Sequence, residues 1–234
     1  MQLFGVDGCR GGWVIAGSDA SLSRLTFTLV DDLADLFGRA DAGDVRIAID
    51  IPIGLSDDGP RACDLAARRL LGRPRASSVF PAPCRSALTA TTYRRACAAS
   101  RRALGVALSI ECFNIVPKIR EVDALMTPAR QACVREVHPE LVFALLEGTG
   151  GLVAPKRTPD GERLRRRLLA RVAPRFDVAA ARRRLGPSRV ARDDIIDAVA
   201  CLVAAGRIHR GEARVLPGPE VPRDARGLRM EIIA

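Results

Sequence analysis

The run Val45-Arg46-Ile47-Ala48-Ile49 is apolar at every position but one and ends in Asp50, with Pro52 and Gly54 close behind. A strand that is apolar on both faces must be covered on both. That is expected of a parallel strand inside an α/β sheet, with helices above and below. The segment before it sets the rest of the sheet. Gln2 to Asp7 alternates weakly and reads as a strand, Gly8-Cys9-Arg10-Gly11-Gly12 as a tight turn, Trp13 to Gly17 as a second strand and Arg24 to Val30 as a third. Short glycine turns between such runs favour antiparallel hairpins. Asp31 to Ala40 has Leu33, Leu36 and Phe37 at helical spacing, with Asp31 or Asp32 as a candidate cap.

The first 55 residues therefore read β-β-β-α-β: three antiparallel strands, a crossover helix, then a parallel strand. This is the start of a ribonuclease H-like fold, and the whole chain, 1–234, is expected to be one such domain of the α/β class. Residues 56–130 differ in texture. They hold two or three helical stretches around the Pro-rich Ser78-Val79-Phe80-Pro81-Ala82-Pro83 and are expected to form a helical insertion lying over one edge of the sheet. Cys133 to Val137 reads as a fifth strand, and Glu140 to Glu147 as a short helix ended by Gly148, Gly150 and Gly151. An arginine-rich helix is expected over roughly 160–172, a strongly apolar helix over Arg192 to Gly206, and an edge strand or ordered arm over Leu228 to Ile233.

Carboxylates stand where a surface explanation is strained. Asp7 ends the first strand directly after Val6. Asp50 ends the apolar strand. Asp194 and Asp197 lie i,i+3 at the start of an apolar helix, with Asp193 one turn from Asp197. Strand ends in an open α/β sheet flank the usual ligand crevice. Grouped carboxylates repel, and burying them costs several kcal/mol each unless a cation compensates. Mg²⁺ or Mn²⁺, which prefers oxygen ligands, would do so. Helix capping is the competing explanation for Asp193 and Asp194, and a turn-forming role for Asp7 and Asp50. Glu136, His138 and Glu140 add two carboxylates and one of two histidines, a candidate for proton transfer.

The net charge of +10 suits a polyanionic partner, nucleic acid being the expectation, although a GC-rich coding background also favours arginine. Of the 37 basic residues only Lys118 and Lys156 are lysine. Seven Phe, one Trp and one Tyr give little for a base-stacking platform. The seven cysteines are scattered with no CxxC pair, which argues against a thiolate zinc site and for free thiols in a reducing cytoplasm. No secretory leader is apparent, and no apolar run approaches the roughly 18 residues of a membrane span.

Taken in order, several segments resemble a known family. They are Gly5-Val6-Asp7-Gly8-Cys9-Arg10-Gly11-Gly12-Trp13, Ile49-Asp50-Ile51-Pro52-Ile53-Gly54-Leu55, Ser77-Ser78-Val79-Phe80-Pro81 with Arg85, Pro117-Lys118-Ile119-Arg120-Glu121-Val122-Asp123, Glu136-Val137-His138-Pro139-Glu140, Lys156-Arg157-Thr158 with Gly161, Asp193-Asp194-Ile195-Ile196-Asp197-Ala198 and Gly227-Leu228-Arg229-Met230. Together they resemble the domain of unknown function 429 family, generally described as predicted nucleases with a ribonuclease H-like fold. The Asp-x-x-Asp of 194–197 also looks like the C-terminal helix pair of Holliday-junction resolvases. The resemblance implies a metal-dependent phosphodiester hydrolase. Asp7, Asp50, Asp194 and Asp197 would hold Mg²⁺ or Mn²⁺, with Glu136 or Glu140 open as a further ligand; Glu136 and His138 would assist catalysis, and Arg10, Arg85, Lys118 and Lys156 would meet phosphate. Arg157 stands where a second lysine is expected. The Asp7–glycine turn leaves a second reading open, a phosphate- or nucleotide-binding protein of the actin-like class; a non-catalytic scaffold is the third.

Overall fold

The computed structural model describes residues 1–148, 152, 154–173 and 176–234. Five strands form the main sheet: β1 (Gln2–Cys9), β2 (Gly12–Asp19), β3 (Thr26–Val30), β4 (Val45–Ile49) and β5 (Val134–Glu136). Their order is β3-β2-β1-β4-β5, antiparallel on the β3-β2-β1 side and parallel where β4 joins β1 and β5 joins β4. The hairpin turn needs Gly12, whose φ is 115° and where a Cβ would lie 2.1 Å from the Val30 carbonyl oxygen. The crossover helix α1 (Ala34–Ala40) starts later than its capping aspartates suggest. Asp32 accepts from the Ala34 N–H, and Glu121 from the Leu33 N–H.

Both faces of β4 are covered, as its apolar run requires. On one face Val6, Trp13, Val45, Ile47 and Ile49 pack against α1 and against Ala96, Cys97, Val116, Ile119 and Val122. These last come from α3 (Tyr93–Leu104) and α4 (Ile110–Leu125). The helical segment 56–130 therefore does not lie over an edge, as the sequence suggested. Trp13, Ile15 and the odd-numbered β4 residues would leave that face apolar and wet without it. Only α2 (Ala62–Leu71) packs elsewhere, with α5 (Pro139–Glu147) and the pair β6 (Val215–Leu216) and β7 (Ile232–Ile233). The tail thus pairs mainly with β6, and meets the β5 edge through a parallel bridge between Ile233 and Val137 and an ion pair between Glu231 and Arg135 at 2.7 Å.

The opposite face belongs to α8 (Arg192–Arg210), which runs one turn past the expected end. It is buried from Ile195 to Gly206, as a helix apolar all round must be. It lies against β1 so closely that a Cβ on Gly5 would sit 2.1 Å from both the Ala198 carbonyl oxygen and the Leu202 nitrogen. The remaining helices are α6 (Pro159–Leu169), within the expected arginine-rich stretch, and α7 (Val178–Leu185), which the sequence reading lacked. Gly148 closes α5 in a left-handed conformation; Gly150 and Gly151 lie outside the described residues. Among the described residues no helix is long and apolar enough to cross a membrane.

Candidate functional site

Strand periodicity brings the first two carboxylates together. Val6 and Ile49 are register partners, and both face the α3–α4 side. The next residue on each strand turns the other way. Asp7 and Asp50 therefore point toward α8, side by side on neighbouring parallel strands. The Asp50 N–H, donating to the Val6 carbonyl at 3.0 Å, continues the ladder to that point. The opening turns of α8 supply Asp194 and Asp197, with the positive end of the helix dipole beside them. All four line one cleft of about 650 Å³, together with Arg10, Lys118, Glu136, His138 and Lys156.

Electrostatics in this cleft are unfavourable to its own carboxylates. Burial first, then Asp50 and Asp197, raise the Asp7 carboxyl well above its ordinary range, while Lys156 opposes them. Burial also raises Asp50, with His138 and Lys156 opposing. Asp194 is raised by burial and held down by the Ala191 N–H, which its Oδ2 accepts at 2.8 Å. Asp194 is thus partly the helix cap that its position suggested. Asp197, 2% exposed, is pushed up to about 6, chiefly by burial. Its Oδ2 accepts from Lys156 Nζ at 2.6 Å, whereas its Oδ1 is buried with no hydrogen-bond partner among the described residues. Arg189 and Arg192, its nearest basic neighbours in sequence, pair instead with Asp31 and Glu162.

The donor set suits a hard cation: carboxylate oxygens, one of them orphaned and buried. Yet among the described residues no three His, Cys, Asp or Glu side chains stand together so as to hold an ion. The positive charge at Asp197 is the Lys156 ammonium, which also lies 3.9 Å from Asp193 Oδ2.

Other expected site residues are placed differently. Glu136 faces the cleft but is bound up in a buried ion network. Arg61 donates to it at 2.7 and 2.8 Å and to Asp64 at 2.5 Å, and the Ile53 N–H donates to Glu136 at 2.7 Å. Burial nonetheless pushes the Glu136 carboxyl up to about 7. His138 uses both ring nitrogens: Nδ1 accepts from the Glu140 N–H at the start of α5, and Nε2 donates to the Ser78 carbonyl at 3.2 Å. Glu140 is matched by the buried Arg165, which donates to it at 2.7 Å. Lys118 lies on the cleft wall, donating to the Gly12 carbonyl at 2.6 Å with its ammonium 4.4 Å from the Trp13 ring centre. Arg10 is exposed at the rim. Arg85 is a correction to the expected phosphate contacts. It is not among the cleft-lining residues, because Asp123 and Asp224 hold its guanidinium.

Sequence reasoning missed Arg61 and Asp64, both buried in the cleft wall. The available signal was Asp64 standing among Ala62, Cys63, Ala66 and Ala67, three residues after an arginine. It also missed Glu121, whose Oε1 and Oε2 accept from the Trp13 indole N–H at 3.0 Å.

Comparison with known proteins adds one match. The profile of a family described as "Protein of unknown function (DUF429)" covers residues 5–221. No curated protein and no solved structure matches. Since the profile spans most of the sequence, from the β1 carboxylate to the α8 pair, the chain belongs to the DUF429 family.

Proposed function

We propose that this protein is a metal-dependent phosphodiester hydrolase of the ribonuclease H-like class that acts on nucleic acid in the cytoplasm. The observation that carries this reading is the meeting of Asp7, Asp50, Asp194 and Asp197, from three elements, in one cleft with a buried oxygen that has no partner among the described residues. The strand order β3-β2-β1-β4-β5, with three antiparallel strands leading into parallel ones, supports the ribonuclease H-like assignment. Mg²⁺ or Mn²⁺, when bound, would stabilise the charge developing on the attacking and leaving oxygens. Asp7, Asp50, Asp194 and Asp197 would hold the ions. Lys118 and the exposed Arg10 stand on the same cleft to receive a phosphate, and the formal charge of +10 draws the polyanion in. With both nitrogens of His138 engaged, it serves to start α5 and to anchor the Ser78 loop rather than to move a proton. The seven buried thiols form no disulfide, which suits a reducing compartment.

An actin-like phosphate cradle is disfavoured by the hairpin itself. The Gly11 N–H, which would face a phosphate there, donates to the Arg189 carbonyl at 2.9 Å.

The test is cleavage of duplex, junction and single-stranded DNA and RNA with Mg²⁺, Mn²⁺ or chelator, alongside Asp7→Asn. The expected result is metal-dependent cleavage, lost in Asp7→Asn, with nucleic-acid affinity falling in salt by a log–log slope of about 0.7–0.9 per phosphate contacted. Absence of nucleic-acid binding at low salt, or cleavage undiminished in Asp7→Asn, would overturn the proposal.

A further inference from the structure

We propose that Lys156 is a built-in competitor for the metal: in the metal-free protein its ammonium holds the cation position of the cleft, and a divalent ion must displace it. This rests on the metal-dependent reading above. Lys156 Nζ donates to Asp197 Oδ2 at 2.6 Å and lies 3.9 Å from Asp193 Oδ2, and its charge also acts on Asp7, Asp50 and Asp194. The ammonium bonds directly to Asp197 and acts on the other carboxylates of the proposed site only through space, and Arg157, 3.3 Å from Asp193 Oδ2, shares Asp193 with it. The ammonium cannot satisfy them all, and among the described residues Asp197 Oδ1 is left buried without a partner.

Two features make the ammonium a removable occupant rather than a permanent one. Arg61, which neutralises Asp64 and Glu136 in the same cleft wall, has a side chain 3% exposed, and that of Arg165 on Glu140 is 1% exposed; the Lys156 side chain is 39% exposed. It can swing into water, which the two enclosed arginines cannot. The lysine also comes from the turn before α6, where Thr158 accepts from the Gly161 N–H and its own hydroxyl donates to the Pro155 carbonyl at 2.8 Å. That turn stays anchored whether or not the four-carbon side chain moves. A single ammonium brings one charge and three donors, whereas a divalent ion brings two charges and accepts six or more oxygens. The exchange would relieve the crowded carboxylates and free the ammonium to meet a substrate phosphate.

Isothermal titration with Mn²⁺ of wild type, Lys156→Met and Asp197→Asn tests this directly. If the ammonium occupies the site about nine-tenths of the time, Lys156→Met binds Mn²⁺ about tenfold more tightly than wild type, and Asp197→Asn binds more weakly. Equal or weaker binding by Lys156→Met, with wild type binding, overturns the competition but leaves the metal reading standing. Binding by Lys156→Met alone supports the competition and removes the metal reading for the natural protein. Binding by neither overturns both. A second measurement does not depend on the variant folding. Lys118 and Lys156 are the only lysines, so reductive ¹³C-methylation, which keeps the charge, labels two side chains and the N-terminus. Mg²⁺ is expected to move the Lys156 resonance and leave that of Lys118 in place. A Lys156 signal unmoved at saturating Mg²⁺ overturns the displacement.

Discussion

Asp197→Asn gives the sharpest test of whether the α8 carboxylates serve the fold or a ligand. The substitution keeps the shape and removes one charge. In the folded, metal-free protein, burial and the neighbouring carboxylates outweigh Lys156 and raise the Asp197 carboxyl from 3.8 to about 6. A raised acid binds its proton more tightly when folded, so its contribution to stability falls as pH rises from about 4 to about 6. At 1.36 kcal/mol per unit, that shift means keeping Asp197 ionised above pH 7 costs on the order of 3 kcal/mol. Asparagine has no such cost, and the attraction of Lys156 is already contained in the net shift. Asp197→Asn in chelator should therefore be more stable than wild type by about 1–3 kcal/mol at pH 7.5, with the gap closing near pH 4. Urea denaturation followed by Trp13 fluorescence measures it, because Trp13 is the single tryptophan and fully buried. Mn²⁺ at about 100 times its Kd should then stabilise wild type by about 2.7 kcal/mol and the mutant by less. A mutant less stable than wild type at pH 7.5 in chelator would refute the reasoning and make the Lys156–Asp197 pair a fold interaction.

Two further substitutions test the scaffold around the site. Arg61→Met strands Asp64 and Glu136, which it bonds in a fully buried setting, and should cost about 3–5 kcal/mol in urea denaturation; a loss under 1 kcal/mol would mean those carboxyls are neutral in the fold. Gly5→Ala drives a methyl to 2.1 Å from the α8 backbone, so it should destabilise by about 3 kcal/mol or more, or prevent folding; a melting temperature within a few degrees of wild type would show that α8 can move off β1.

What local pattern could encode, the sequence by itself determined: the strand-strand-strand-helix-strand opening, the burial of both faces of Val45–Ile49, the apolar helix from Arg192, and carboxylates at one strand end and one helix start; Asp7, which the sequence placed at the end of the first strand, lies inside β1, because pairing with β2 continues to Cys9. Each follows from alternation, helical spacing or a turn residue within a few positions. Tertiary structure alone decided the partners. That Lys156 would reach Asp197 across 41 positions, that Arg61 would claim Glu136 across 75, and that Asp224 would help draw Arg85 away from the cleft across 139 depends on which elements pack side by side. The same holds for the placement of segment 56–130 on a face of the sheet. Its own helices show only that they have apolar stripes, and the uncovered face to which those stripes belong is built by strands before and after it. A charged side chain carries no local mark of its counter-ion: spacing shows that a carboxylate is buried, and only packing shows what neutralises it.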